Sequence, residues 1–130
     1  TKTHMNVDLA VKPGGIAIIL LECPDIKEPA IFTDWLLKSD LQKIEQSVRD
    51  NFSMAAFVAY KSRCIIESHT VYLVTRKENF EFVRQTGQIP VETAEEAWQL
   101  AQQRLAAAGK TDYTITLMKH APVTLPVWER

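Results

Sequence analysis

The side chains in this sequence that could do metal chemistry are few and lie far apart. The three histidines, His4, His69 and His120, form no tight group with each other or with cysteines at the spacing typical of a metal site. The two cysteines, Cys23 and Cys64, are too few for a zinc site by themselves or for a disulfide scaffold. We therefore expect no metal ligands in this chain, and surface or capping roles for its histidines.

Residues for nucleophilic or acid–base catalysis are not arranged in a known pattern either. There is no Gly-x-Ser-x-Gly turn, and neither cysteine stands next to a histidine. The adjacent carboxylates Glu95 and Glu96 fall in the first turn of a predicted helix, where the helix dipole favours negative charge. Glu78 and Glu81 are spaced as a solvated pair on a polar helix face. We expect no catalytic residue in this chain.

One position suggests a site for an anion. Residues 54–60 are entirely apolar or aromatic and predict a helix buried on most of its circumference, and Lys61 and Arg63 are its first charges. In one interpretation the helix reaches the surface there and both cations complement its C-terminal end. In the other, Tyr60 and Lys61 face a cleft and offer a hydrogen-bond donor and a cation to an anionic ligand. Tyr60 and Lys61 are thus the candidate substrate-binding residues.

Composition limits the classes of protein to which the chain can belong. Its 130 residues suit one domain, and fifteen basic against sixteen acidic residues exclude the basic balance of a general nucleic-acid binder. Four glycines leave no room for a glycine-rich phosphate loop. The apolar run at residues 16–21 is too short to span a membrane, and the first residues show no signal peptide. We expect a cytoplasmic globular domain with neither a nucleic acid nor a membrane as partner.

Periodicity predicts alternating strands and helices. Residues 16–21 read as a strand buried on both faces, 70–75 as a second strand and 113–118 as a third. Three helices are predicted at residues 30–38, 53–66 and 79–85. Two more begin at capping boxes: one runs from Ser39–Gln42 to residue 52, and the other runs from Thr93–Glu96 to Gly109. The expected fold class is α/β: a single three-layer domain over residues 1–130, with a mostly parallel sheet and helices on both faces. The loop at 22–29 follows the first strand, where such sheets place their sites.

Several segments in order carry a family resemblance. They are Val11-Lys12-Pro13-Gly14-Gly15 before an Ile-rich strand, Phe32-x-x-Trp35-Leu36, the helix from Phe52 through Ala59-Tyr60 with the strand Val71-Tyr72-Leu73-Val74, Thr93-Ala94-Glu95-Glu96-Ala97, and His120-Ala121-Pro122-Val123-Thr124-Leu125-Pro126. Together, from about residue 7 to residue 126, they resemble the C-terminal domain of the nickel-dependent lactate racemase family.

The resemblance implies that this chain is the C-terminal lobe of a larger two-lobed protein. In that family the N-terminal lobe holds the nickel-pincer nucleotide and two catalytic histidines, and the C-terminal lobe closes over a small 2-hydroxy acid. The reaction, a racemisation or epimerisation, removes a hydride from the carbon that bears the hydroxyl and returns it. No residue here matches the cofactor-attaching lysine or the histidine pair. The resemblance therefore implies a lobe that is inactive alone, binds no cofactor itself and has the N-terminal lobe as its partner.

The chain departs from the family at the start of its central helix. The family commonly carries Gly-x-His-Lys-Ala there, whereas this chain reads Ala55-Ala56-Phe57-Val58-Ala59. The loss of a polar pair implies a bulkier or more apolar 2-hydroxy acid than lactate, or an altered activity. Lys61, one turn further along, is the candidate for the missing cation.

Two other functions fit the same residues. A free-standing, non-catalytic α/β module could bind a small anionic ligand near Tyr60 and Lys61. The Lys12-Pro13-Gly14-Gly15 turn before a strand also resembles an element of class I methyltransferases, but the glycine-rich turn and acidic residue that hold their cofactor have no counterpart here.

Overall fold

Helices and parallel strands alternate along the part of the chain that the computed structural model describes, residues 2–38 and 40–127. The elements are α1 (Lys2–Ala10), β1 (Ile16–Leu20), α2 (Ala30–Leu36), α3 (Leu41–Asp50), α4 (Met54–Ser68), β2 (Thr70–Val74), α5 (Phe80–Gln85), β3 (Ile89–Val91) and α6 (Ala94–Ala107). Short 3₁₀ helices cover Lys77–Asn79 and Ala121–Val123. None of the helices in these ranges is both long and apolar enough to cross a membrane.

The sheet has β2 at its centre, with β1 and β3 pairing parallel to it on either side. Ile18 lies opposite Tyr72, and Tyr72 lies opposite Ile89. Because all three strands run the same way, their carboxyl ends meet at one edge of the sheet.

Both faces of the sheet are covered by helices. On one face Ala17, Ile19, Val71 and Leu73 form a core with Val83 of α5, and Val7 of α1 packs against it. On the other face Tyr72 and Val91 pack against Ala97 and Ala101 of α6. The two apolar faces explain why β1 and β2 read as continuous apolar runs rather than alternating ones. The predicted fold class, a three-layer α/β domain with a parallel sheet, is confirmed.

Helix α4 is buried on one face and not on most of its circumference, so that prediction was wrong. Its buried residues include the small Ala56 and Ala59, which let α2 and α3 approach closely. The large side chains of Met54 and Phe57 point outward instead, with 64% and 37% of their surface exposed. The apolar composition of α4 therefore did not identify its buried face, because the small residues Ala56 and Ala59, and not the large ones, face the neighbouring helices.

The Gly14–Gly15 turn joins the ends of α1 and α4 to the start of β1. Gly14 has φ +76° and donates its N–H to the Ser68 carbonyl at 2.8 Å. A Cβ on Gly15 would lie 2.5 Å from Val11 Cγ1 and 2.8 Å from the Lys12 carbonyl oxygen, closer than atoms can approach. Glycine is needed here for backbone packing.

The third strand lies elsewhere than predicted. It is Ile89–Val91, three residues long, and residues 110–118 form neither helix nor strand. Pro90 is tolerated because β3 is an edge strand and its missing N–H breaks no hydrogen bond inside the sheet. A three-residue strand that contains proline is too short to show a period in the sequence.

Two helix starts were predicted from capping residues. Thr93 caps α6 as predicted, accepting a hydrogen bond from the Glu96 N–H at 3.1 Å, although the Glu96 carboxylate accepts from the N–H of Glu92 rather than that of Thr93. Ser39 lies outside the described residues, and the cap of α3 is Asp40, whose carboxylate accepts from the N–H groups of Gln42 and Lys43.

A buried chain of hydrogen bonds ties α1 to the segment between α5 and β3. His4 Nε2 lies 2.9 Å from Gln88 Oε1, Gln88 Nε2 donates to Thr86 Oγ1 at 2.9 Å, and Thr86 Oγ1 donates to the Val83 carbonyl at 2.7 Å. Burial lowers the pKa of His4, an effect that the hydrogen bond to Gln88 opposes. The neutral imidazole is therefore the form that the fold stabilises.

Acid should weaken the fold through His4. Its pKa is lower in the folded than in the unfolded chain, so the unfolded chain binds more protons as the pH falls below about 6.5. We expect the free energy of unfolding in urea to fall from pH 7.5 to pH 5, by at most about 1.4 kcal/mol per pH unit from this group. His4→Gln should flatten that slope, whereas His120→Asn, at an exposed position, should leave it unchanged. Equal slopes in the wild type and His4→Gln would contradict the prediction.

Candidate functional site

An open cleft of about 350 Å³ lies at the edge of the sheet where the strands end. It is lined by the last residues of β1 and β2, by the residues that follow them, and by Glu92 after β3: Leu20, Leu21, Glu22, Val74, Thr75, Arg76 and Glu92. This is the place that the sequence predicts for a site, at the start of the loop after the first strand.

A buried asparagine holds the loop that begins this cleft. The Asn79 side chain donates to the Cys23 carbonyl at 2.9 Å, to Thr75 Oγ1 at 3.0 Å and to the Glu22 carbonyl at 3.3 Å. Thr75 Oγ1 in turn donates to the Glu22 carbonyl at 3.0 Å. Cys23 adopts a left-handed φ of +48°, which is unfavourable for a residue with a side chain and persists only where surrounding contacts impose it. Asn79 supplies those contacts.

The charged groups of the cleft and the neighbouring Lys77 form ion pairs that are exposed to water. Arg76 donates to Glu22 through two guanidinium nitrogens, and Lys77 Nζ lies 2.9 Å from Glu92 Oε1. Hydrogen bonding to these carboxylates raises the pKa of both Arg76 and Lys77. All four side chains are about half exposed or more, and such surface pairs contribute about 0–1 kcal/mol. An incoming carboxylate could therefore replace Glu22 on Arg76 at little cost.

The thiol of Cys23 lies in the loop that begins at this cleft. Burial raises the pKa of the Cys23 thiol, which keeps it protonated and weakly nucleophilic at neutral pH. Within residues 2–38 and 40–127, no group of three histidine, cysteine or acidic side chains could hold a metal ion. The cationic side chains at the cleft could bind an anion.

The two predicted site residues lie on α4 and not among the residues that line the cleft. The phenol of Tyr60 lies beside the Cys64 thiol and the Glu45 carboxylate of α3, and these contacts with partial burial raise the pKa of Tyr60 to about 12. Tyr60 is thus a neutral hydrogen-bond donor at physiological pH. Lys61 is half-buried and forms no ion pair with any residue in the described ranges. Their role as ligand contacts stays a prediction.

The alternative interpretation, in which two cations complement the C-terminal end of the helix, was wrong. Helix α4 continues to Ser68, beyond both cations, and its last turn carries no basic residue. Arg63 is instead mostly buried, and its guanidinium lies 2.9 Å from the Glu67 carboxylate and 3.4 Å from the Leu36 carbonyl. The helix ends at His69, whose ring nitrogens lie 3.0 Å from the Ile65 carbonyl and 3.2 Å from that of Val11. The expected capping role is thus confirmed for His69.

Sequence reasoning missed the residues that build the cleft. Arg76 and Glu92 each come one or two residues after a strand, and the parallel order of the strands is what brings them together. The position of Arg76 just beyond the correctly predicted second strand was a usable signal. Glu92 follows the strand that was missed, and Asn79 belongs to no recognisable motif.

The comparisons with known proteins give one informative likeness. No family model and no curated protein matches the chain. Among solved structures, the lactate racemase apoprotein from Thermoanaerobacterium thermosaccharolyticum superposes with a TM-score of 0.67 and 28% identity. The likeness covers 78% of this chain but 26% of the racemase chain. The chain therefore resembles one part of a lactate racemase and spans about a quarter of that protein's length.

Asn79 should be the polar side chain on which the shape of the cleft depends. Asn79→Ala leaves the Cys23 carbonyl without its donor and the Glu22 carbonyl with Thr75 Oγ1 alone, and we expect the free energy of unfolding in urea to fall by about 1–3 kcal/mol. The neighbouring exposed residue provides a control, since Glu78→Gln should change it by less than about 0.5 kcal/mol. Equal effects of the two substitutions would show that Asn79 does not hold the loop.

Proposed function

We propose that this chain is the C-terminal, substrate-closing lobe of a 2-hydroxy-acid racemase or epimerase and is inactive alone. The observation that carries the proposal is the likeness to lactate racemase. The two chains are 28% identical over a region that covers 78% of this chain and 26% of the racemase chain. The ordered motifs from Lys12-Pro13-Gly14-Gly15 to the closing His120-Ala121-Pro122 support the same assignment.

The nickel-pincer nucleotide belongs to the other lobe in this proposal. The side chains present do not fit it: His4 is hydrogen-bonded to Gln88, His69 is directed at backbone carbonyls, and within the described residues neither belongs to a group of three side chains that could hold a metal ion. When bound to the other lobe, the cofactor would accept and return the hydride. This chain would contribute binding, orientation and exclusion of water.

Cations on this chain would recognise the carboxylate of the acid. Arg76 and Lys77 are held at the sheet edge by exchangeable surface pairs, and Lys61 has no competing anion in the described part of the chain. Tyr60 remains a neutral donor at physiological pH because its pKa is about 12. We propose that Lys61 and Tyr60 contact the substrate and that Arg76 assists at the sheet edge.

The apolar start of α4 favours an acid with a larger side chain than lactate. Phe52, Met54 and Phe57 are exposed by 62%, 64% and 37%, and the two phenylalanine rings lie 5.9 Å apart between centroids. Phe57 stands where the family commonly has part of a polar pair. Covering exposed aromatic rings with an apolar group lowers the free energy, because it removes apolar surface from water. These rings therefore favour an aryl or branched alkyl substituent on the acid.

The decisive experiment measures racemisation by the native polypeptide that contains this chain. One enantiomer of 2-deuterated lactate, 2-hydroxyisovalerate or mandelate is supplied in ordinary water, and products are resolved by chiral chromatography with mass spectrometry. We expect the opposite enantiomer to appear with its deuterium retained, because a hydride that is removed and returned does not exchange with solvent. Residues 1–130 alone should give no product.

Two outcomes would contradict this assignment. Loss of deuterium to solvent would indicate proton abstraction and not hydride transfer. A native polypeptide near 14.8 kDa that binds these acids without converting them would favour the free-standing anion-binding module.

Lys61 should contribute to affinity for the acid rather than to the fold. In the native polypeptide we expect Lys61→Ala to raise KM at least about tenfold, since a lost charge-assisted hydrogen bond costs about 1.5–3 kcal/mol. Lys43→Ala is the matched control, because Lys43 is 84% exposed on α3 and pairs with Asp40. An unchanged KM in Lys61→Ala would remove Lys61 from the site while leaving the racemase assignment intact.

A further inference from the structure

The carboxylate of Glu22 already occupies the cation that the proposed function assigns to the acid at the sheet edge. Arg76 donates through Nε and Nη2 to the same Glu22 oxygen, Oε1, and the distance from Nε to Oε1 is 3.1 Å. Both side chains line the cleft at the carboxyl ends of the strands. A guanidinium that binds a carboxylate is also the contact that a 2-hydroxy acid would make there. The cleft thus contains a carboxylate of its own at the position proposed for that of the substrate.

The geometry of this pair would allow a free carboxylate to bind Arg76 more strongly. A guanidinium can donate two parallel hydrogen bonds to the two oxygens of one carboxylate, which adds energy as well as specificity. Glu22 uses one oxygen, and its Oε2 accepts no hydrogen bond from any residue that the structure describes. A small acid is not tethered to the chain and can turn to offer both of its oxygens to Arg76.

The backbone of Glu22 is held in place, whereas its side chain lies in water. The Glu22 carbonyl accepts hydrogen bonds from Thr75 Oγ1 at 3.0 Å and from Asn79 Nδ2 at 3.3 Å. The Glu22 side chain is 70% exposed and that of Arg76 is 49% exposed. Glu22 can therefore leave Arg76 by rotation of its side chain, without a change in the backbone of the loop, and it stays close enough to return.

The charges around the cleft also oppose an incoming anion. The side chains that line the cleft and the adjoining surface carry three negative and two positive charges: Glu22, Glu78, Glu92, Arg76 and Lys77. Of the three carboxylates, Glu22 is the one that hydrogen-bonds to Arg76, while Glu92 pairs with Lys77. A neutral side chain at position 22 would balance the charges and leave Arg76 open.

We propose that Glu22 is an internal competitor that sets the affinity of this chain for carboxylic acids. The inference rests on the proposed function, which assigns Arg76 to the carboxylate of the acid. Exposed ion pairs are weak, so Arg76 is free of Glu22 for about a sixth to a half of the time. The apparent affinity is the intrinsic affinity multiplied by that fraction, so Glu22 weakens carboxylate binding about two- to sixfold.

An acetate titration of residues 1–130 measures this competition. Sodium acetate replaces sodium chloride at constant ionic strength and pH 7, and the Nε–Hε resonance of Arg76, assigned by its loss in Arg76→Lys, is followed by ¹⁵N NMR. We expect Glu22→Gln to bind acetate about two- to sixfold more tightly than the wild type. Glu81→Gln is the matched control, since it removes the same charge from an exposed position on α5 outside the cleft. It should leave acetate binding unchanged.

Two further variants separate direct competition from the loss of a negative charge. Glu22→Asp keeps the charge but is shorter by one methylene, so its contact with Arg76 is weaker and acetate should again bind more tightly than to the wild type. Binding equal to that of the wild type would assign the effect to charge and overturn the competition. In the native polypeptide, Glu22→Gln should lower KM by the same factor, and it should bring no gain when combined with Arg76→Gln.

The outcomes distinguish this proposal from the proposed function. Acetate that binds the wild type and Glu22→Gln equally, or that shifts the Arg76 resonance in neither, overturns the competition even if the native polypeptide racemises 2-hydroxy acids. A native polypeptide without racemase activity overturns the proposed function instead. The acetate titration of residues 1–130 does not require that activity, so it decides the role of Glu22 in either case.

Discussion

The parallel pairing of β2 with both of its neighbours is the constraint from which the rest of the structure follows. A strand paired on both sides has no free edge, and β2 is also covered on both faces. Parallel strands need helical crossovers, and α5 between β2 and β3 covers one face of the sheet while α6, which follows β3, covers the other. The same direction of all strands brings their carboxyl ends together. The cleft is thus a geometric consequence of the sheet.

The cleft has a base held by buried hydrogen bonds and a surface whose ion pairs can be replaced by other charged groups. Asn79 is buried, and its side-chain amide donates to the Glu22 and Cys23 carbonyls of the loop after β1 and to Thr75 Oγ1 after β2. The ion pairs above it lie in water and contribute little free energy. Both properties suit the binding of an ion, because the base fixes where the charges stand and the weak pairs let them accept another partner.

The sequence was informative where structure is set by local composition and less so where it is set by tertiary contacts. Strands β1 and β2 and helix α6 were predicted from apolar runs and a capping threonine. Strand β3 was missed because it is three residues long and contains Pro90. The strand predicted at residues 113–118 is absent, because its alternating pattern reports a local preference and the backbone there makes no pairing hydrogen bond within the described residues. The parallel order of the strands predicted that the site lies at their carboxyl ends. It did not predict the role of Asn79, whose hydrogen-bond partner Cys23 is more than 50 residues away in the sequence.

The Gly14–Gly15 turn shows what a short motif can mean. Gly15 is required because Val11 and Lys12 leave no space for a Cβ, and Gly14 because its φ is positive. Both requirements come from the way a helix end crosses the start of a buried strand, and neither involves a ligand. Any α/β protein with the same crossing faces the same steric demand, whatever its reaction. A Pro-Gly-Gly before a strand therefore reports backbone geometry when it stands alone, and its value for assigning a family comes from the other motifs that follow it in order.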